Sequence, residues 1–200
     1  MDFILATTNP GKVLEIKDLI GEGHSVKTLA DVGFYEEIIE DGKTFLDNAV
    51  IKAKAAHNAI NAKYDYILAD DSGIIIDALD GRPGVNSKGW LGENISQQEI
   101  NLKVIEMLAG VSGDKRSAGM TTVIACIDPK GRLQTTEGTL EGLIALKPEG
   151  ESGFGYDRIF YVPTLKATLA QITTEEKNSL SHRMLALRRM FRLLGVCVHV

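Results

Sequence analysis

Two hundred residues, 44% apolar and 24% charged, suit a single domain over residues 1–200 that buries a core without disulfide staples. A net charge of −5 argues against wrapping DNA or RNA, which takes a broad basic surface, but allows a small anion met by a few placed lysines. No run approaches the roughly 20 apolar residues that cross a bilayer, no basic leader opens the chain, and Cys126 and Cys197 form no C-x-x-C pair, so a cytoplasmic protein is expected.

In chain order, residues 2–7 read as a strand and 10–20 as a helix, with Val13, Ile16 and Ile20 on one face. A second helix is expected over 44–61, where Phe45, Ala49, Ala53, Ala56 and Ile60 recur at helical spacing. YILAD, 66–70, is a short apolar strand. A third helix follows over 96–109, with Ile100, Val104 and Leu108 inward. TTVIACI, then the turn DPKG, then RLQTTEGTLEG predict two antiparallel strands. RIFYVP is a strand stopped by Pro163, and a last helix spans 182–194 with Met184, Leu187, Phe191 and Leu194 inward. Helices alternating with strands, then a hairpin, predict an α/β fold around a mixed sheet flanked by helices.

Five segments carry chemistry. In TTNPGK, Asn9 suits an N-cap and Pro10 the first helical position, so Thr7, Thr8, Asn9, Pro10, Gly11 and Lys12 form a strand-to-helix junction. The backbone N–H groups of such a junction bind anions, with the threonine hydroxyls and Lys12 adding donors; plain helix-start chemistry explains the same residues. The P-loop pattern does not fit, because the glycine six residues before Lys12 is missing. In ADDSG, a strand ends in Asp70 and Asp71, followed by Ser72 and Gly73. Paired carboxylates at a strand end suit Mg²⁺, and Asp-Asp-Ser-Gly is equally a good turn.

Lys52 falls within an apolar helical stripe, which is costly unless it meets an anion, and Glu40 and Asp41 lie just upstream. GFGYD sets Phe154 between glycines, beside Gly155, Tyr156 and Asp157. That pattern suits stacking under a nucleobase as well as it suits core packing. EEKNSLSHR places Lys177, and then His182 and Arg183 in a helix's first turn, where the dipole disfavours cations. The remaining arginines, Arg188, Arg189 and Arg192, read as a solvated helix face.

Together and in this order, TTNPGK, EDGKTFLDNAVIKA, ADDSGI, RPGVNS, GFGYDRIF, the EEKN that follows Thr173 and Thr174, and SHR resemble the inosine triphosphate pyrophosphatase family, from residue 3 to about residue 190. The resemblance implies a two-lobed fold with a central cleft, and a homodimer that nothing in the residues themselves demands. It implies hydrolysis of ITP, dITP and XTP to the monophosphate and pyrophosphate, with Mg²⁺ on Glu40 and Asp71, Asp70 adjacent. Asp71 would act as base. Thr7, Asn9 and Lys12 with the rest of their loop, and Ser72 and Lys52, would contact phosphate. Phe154 would stack on the purine, Asp157 would bond its polar edge, and Lys177, His182 and Arg183 would recognise the base. Two departures stand out: Thr8 replaces a glycine common in the family, and Ser87-Lys88-Gly89-Trp90 lacks the family's arginine after Pro-Gly. A pyrophosphatase of the septum-formation-inhibitor type and a nucleotide sensor without turnover are the alternatives.

Overall fold

A computed structural model of the chain describes residues 1–20, 23–60, 66–87, 90–92 and 94–196. Lys88, Gly89 and Cys197 lie outside the described residues. The elements are β1 (Asp2–Leu5), α1 (Pro10–Ile20), β2 (Ser25–Thr28), α2 (Phe45–Ile60), β3 (Tyr66–Ile76), α3 (Gln97–Met107), β4 (Ser117–Ile127), β5 (Leu133–Ile144), β6 (Phe160–Val162), β7 (Ala167–Thr168), α4 (Thr174–Leu180) and α5 (His182–Leu194). The strands form one sheet in the order β2-β1-β3-β4-β5-β6-β7. β1 pairs in parallel with β2 and β3, whereas β6 is antiparallel to β5 and β7, so the sheet is mixed as expected.

The chain divides into two compact units: Met1–Ser72 with Thr122–Gly138 and His182–Val200, and Gly73–Thr121 with Thr139–Ser181. The first unit has a core on each face of its strands. Phe3 and Leu5 of β1, Leu68 of β3, and Ile124 and Cys126 of β4 pack with Ile16 and Leu19 of α1 and Met184, Leu187 and Phe191 of α5. The alternate residues, Ile4, Ala6, Ile67, Ala69, Val123 and Ala125, pack with Ala49, Ala53 and Ala56 of α2. The period-2 alternation of a strand produces this two-sided burial. Cys126 sits in the first of these cores, where burial pushes its thiol up to about 12 and keeps it unreactive.

α5 lies unusually close to β5. A Cβ on Gly138 would stand 2.2 Å from the His182 carbonyl oxygen and 2.6 Å from the Ala186 nitrogen, so glycine is required there. Thr136 Oγ1 donates to the Ala186 carbonyl at 2.8 Å, pinning the first turn of α5 and the basic residues it carries.

In the second unit, Ile74, Ile76, Val104, Leu108, Met120, Ile144, Ile159 and Phe160 form one core. α3 begins with a reciprocal capping box between Ser96 and Glu99, and α4 with one between Thr173 and Glu176. Arg116 is buried, and its guanidinium donates to the carbonyls of Leu108, Ile144 and Ala145 at 2.8, 2.7 and 3.0 Å, tying the end of α3 to β5.

The largest correction to the expected elements concerns β3. It does not end at Asp70 but continues through Asp71, Ser72 and Gly73 to Ile76. Local preference disfavours strand at these residues. β3 is, however, an interior strand between β1 and β4, and the cations described below compensate its carboxylates. β4 likewise begins at Ser117, earlier than expected.

Candidate active site

The first unit gathers Lys12, Glu15, Glu40, Lys52, Asp70, Asp71, Ser72 and Arg183. Adjacent residues on a strand point to opposite faces. Asp70 therefore shares the face of Leu68, toward α1 and α5, and Asp71 the face of Ala69, toward α2. Each carboxylate meets the cation its own face supplies. Lys12 Nζ is 2.9 Å and Arg183 Nε 3.3 Å from Asp70 Oδ2. Lys52 Nζ, from α2, is 3.5 Å from Asp71 Oδ1 and 2.5 Å from Glu40 Oε2.

These surroundings drive the two aspartates apart. Burial alone would raise Asp70, but the charges of Lys12 and Arg183 outweigh it and hold the carboxyl well below the usual range. For Asp71, burial wins: Lys52 offsets it only partly, and the carboxyl is raised above 3.8. Lys52 itself is raised, since the acids around it overcome its burial, and it stays charged.

Opposite dependences of stability on pH follow. Asp70, depressed in the fold, stabilises it above its unfolded value of 3.8, and this contribution is lost as pH falls through the folded value. Asp71, elevated in the fold, carries a cost that appears as pH rises from 3.8 through its folded value. Denaturant titrations at stepped pH should show Asp70→Asn less stable than the parent at neutral pH, with the gap closing in acid. A pH-independent gap would exclude the ionised form as the stabilising species.

The opening loop behaves as a helix cap. Asn9 Oδ1 accepts the N–H groups of Gly11 at 2.9 Å and Lys12 at 3.4 Å, and Thr7 Oγ1 accepts that of Asn9 at 3.2 Å. Two of the N–H groups expected to point at an anion are thus occupied by the cap. Thr8, Asn9 and Pro10 are exposed, and Gly11 is half-buried.

Arg183 is buried and stands among acids. Nη1 donates to Glu15 Oε2, Nε faces Asp70, and Nη2 donates to Ser72 Oγ at 3.2 Å. His182 is buried beside it. Glu15 escaped the sequence reading. The available signal was its position three residues after Lys12, next to the inward Ile16, where a carboxylate shares the buried side of the helix.

The second unit holds Phe154, Gly155, Tyr156, Asp157 and Lys177. Lys177 Nζ is 2.8 Å from Asp157 Oδ2 and 4.6 Å from the centre of the Phe154 ring. The same carboxylate oxygen accepts the Phe154 N–H at 2.8 Å. Tyr156 is a core residue, and burial pushes its phenol up to about 12.

Among the described residues, no group of three or more His, Cys, Asp or Glu side chains is arranged to hold a metal ion. A two-carboxylate site still fits. Glu40 and Asp71 already converge on one cation, the Lys52 ammonium, and Asp71 Oδ2 is buried with no hydrogen-bond partner, as is Asp70 Oδ1. No helix among the described residues is long and apolar enough to cross a membrane.

The model of the Ham1 family matches residues 3–193. The dITP/XTP pyrophosphatase of Bacillus subtilis (strain 168) is 45% identical over 192 residues, covering 96% of either chain. That of Desulforamulus reducens is 44% identical over 196 residues, covering 98% of this chain and 96% of its own. The Ham1 protein of Staphylococcus aureus superposes with a TM-score of 0.86 at 35% identity, covering 98% of both chains. A HAM1 protein from Coxiella burnetii also gives 0.86, at 36% identity over 98% of this chain and 100% of its own. By sequence and by fold alike, the chain belongs to the Ham1 family.

Proposed function

We propose that the chain is a Mg²⁺-dependent pyrophosphatase that hydrolyses ITP, dITP and XTP to the monophosphate and pyrophosphate, acting in the cytoplasm as a homodimer. Relatives named dITP/XTP pyrophosphatase, 44–45% identical over nearly the whole chain, support the reaction class. The observation that carries the reading is the split pair on β3: Asp70 neutralised between Lys12 and Arg183, and Asp71 left basic beside Lys52. The homodimer rests on the family resemblance.

Asp71 is the carboxylate with the raised affinity for a proton, so it is the one suited to accept it from the attacking water. The new bond forms between that water's oxygen and the α-phosphorus, and the bond to the β-phosphate oxygen breaks. Lys12 and Lys52 offset the charge that develops on the leaving pyrophosphate. Glu40 and Asp71 would hold Mg²⁺, with Asp70 adjacent; the ion would supply further charge compensation and acidify water. Asp70 keeps Lys12 and Arg183 in place, while Thr7, Asn9 and Ser72 add polar contacts to the phosphates.

At the base, Phe154 offers a stacking surface, while Asp157 and Lys177 form an acceptor–donor pair. A 6-oxopurine presents the complementary pair, an N1–H donor and an O6 acceptor. Adenine reverses both and leaves buried groups unpaired, a mismatch worth about 10⁴-fold. The family resemblance adds His182 and Arg183 of α5 to base recognition, whereas the Arg183 guanidinium is directed at Glu15, Asp70 and Ser72.

The deciding experiment is a panel of ITP, dITP, XTP, ATP and GTP with Mg²⁺, scored for pyrophosphate and orthophosphate. Pyrophosphate from the first three, with little from ATP, is expected; GTP presents the same 6-oxo edge, so little release from it would place a further discrimination at its 2-amino group. Release mainly from other nucleotides, or binding without release, would overturn the assignment.

A further inference from the structure

The GFGYD loop is anchored at one end by Asp157, whose carboxylate holds the Phe154 N–H and whose carbonyl accepts the Ala170 N–H at 3.1 Å. Its middle contains a loose joint. Gly155 has φ +63°, and a Cβ built there would meet nothing within 4 Å, so no side chain wedges this position. The Asp157 N–H closes the turn by donating to the Phe154 carbonyl at 3.2 Å, and α3 holds the peptide between them. Asn101 Nδ2 donates to the Gly155 carbonyl at 3.1 Å. Asn101 is only 2% exposed, and its own Oδ1 accepts from Gln97 Nε2 at 3.0 Å, one turn earlier on the same helix. The Gly155 carbonyl, which can only accept, fixes which way the amide points. The capping box at Ser96 and Glu99 in turn fixes the start of the helix.

We infer that Asn101 is a positioning residue for base recognition: its amide donor locks the Gly155 peptide and thereby holds the Phe154 ring ready for a purine. This rests on the reading of Phe154 as the purine platform. Without the lock, the loop must be ordered each time a nucleotide binds. Ground state and transition state share that penalty, so KM rises while kcat stays near its parent value.

Asn101→Leu keeps the branched four-atom side chain and removes the donor. Calorimetric titration of the full chain with inosine monophosphate should show affinity reduced about tenfold, the usual worth of one hydrogen bond to a carbonyl. Tripolyphosphate, which has no base, should bind Asn101→Leu as it binds the parent. KM for ITP should rise by a similar factor with kcat within about twofold. Equal losses for both ligands would mean general loosening of the fold and would overturn the inference. Phe154→Ala separates this from the platform reading. If Phe154→Ala weakens inosine monophosphate and Asn101→Leu does not, Asn101 has no positioning role and the platform stands. If neither variant changes the affinity, the platform reading itself fails. Should Asn101→Leu not fold, Asn101→Ala serves in its place, since it also removes the donor, with an expected loss of about tenfold for inosine monophosphate and none for tripolyphosphate; an unchanged affinity for inosine monophosphate would overturn the inference.

Discussion

Asp71→Asn is expected to lower the turnover of ITP by about 10³-fold while leaving the chain folded, since a positioned base contributes roughly 10²–10⁴-fold. The substitution keeps the shape of the side chain and removes its charge. Burial already disfavours that charge, and Lys52 offsets the penalty only partly, so at neutral pH the variant should match or exceed the parent in stability. Lys52 keeps Glu40 as its partner. Steady-state rates and thermal melts on the same sample test both halves of the expectation. Rates near those of the parent would remove Asp71 from the mechanism, and a large fall in melting temperature would assign it a structural role.

Arg183→Met should have the largest effect on stability. The guanidinium is 3% exposed and faces two acids, Glu15 and Asp70. Its removal leaves Glu15 buried without its cation and Asp70 with Lys12, a type of change that costs about 3–5 kcal/mol. For a chain of this size that corresponds to a fall of roughly 10 °C in melting temperature. Glu15→Gln combined with Arg183→Met should recover part of the loss, because a neutral amide tolerates burial better than an unpaired carboxylate. A cost under about 1 kcal/mol for the single variant, in the range of exposed ion pairs, would show that the guanidinium does not hold these acids.

Much of the scaffold could be read from local signals. Pro10–Ile20 and His182–Leu194 form helices over the residues expected, the first from its cap and proline, the second from its apolar spacing. Lys52 is buried against acids, as its place in the apolar stripe of α2 suggested. β3 outruns its expected end because Asp-Asp-Ser-Gly has the composition of a turn, whereas its strand state depends on ladders and cations contributed from distant positions. The same limit hid Glu15 and Asn101. Each is a polar residue on a helix that becomes meaningful only through a partner far away in sequence, Arg183 for the one and the Gly155 carbonyl for the other. Arg183 could be seen as misplaced by the dipole rule, but its acidic partners could not be named from its neighbours.

The opposed directions of Asp70 and Asp71 constrain how the chain can vary in length. Pairing of Leu5 with Leu68 fixes which of the two looks toward α5. A slip of β3 by one position along β1 would hand each acid to the other's lysine and move Leu68 from the core of α1 and α5 into the alanine-lined core of α2, exchanging the two faces along the strand. Insertions and deletions between Leu5 and Asp70 must therefore be absorbed by the connecting loops, and homologues of different length should keep the spacing from Leu68 to Asp71 intact.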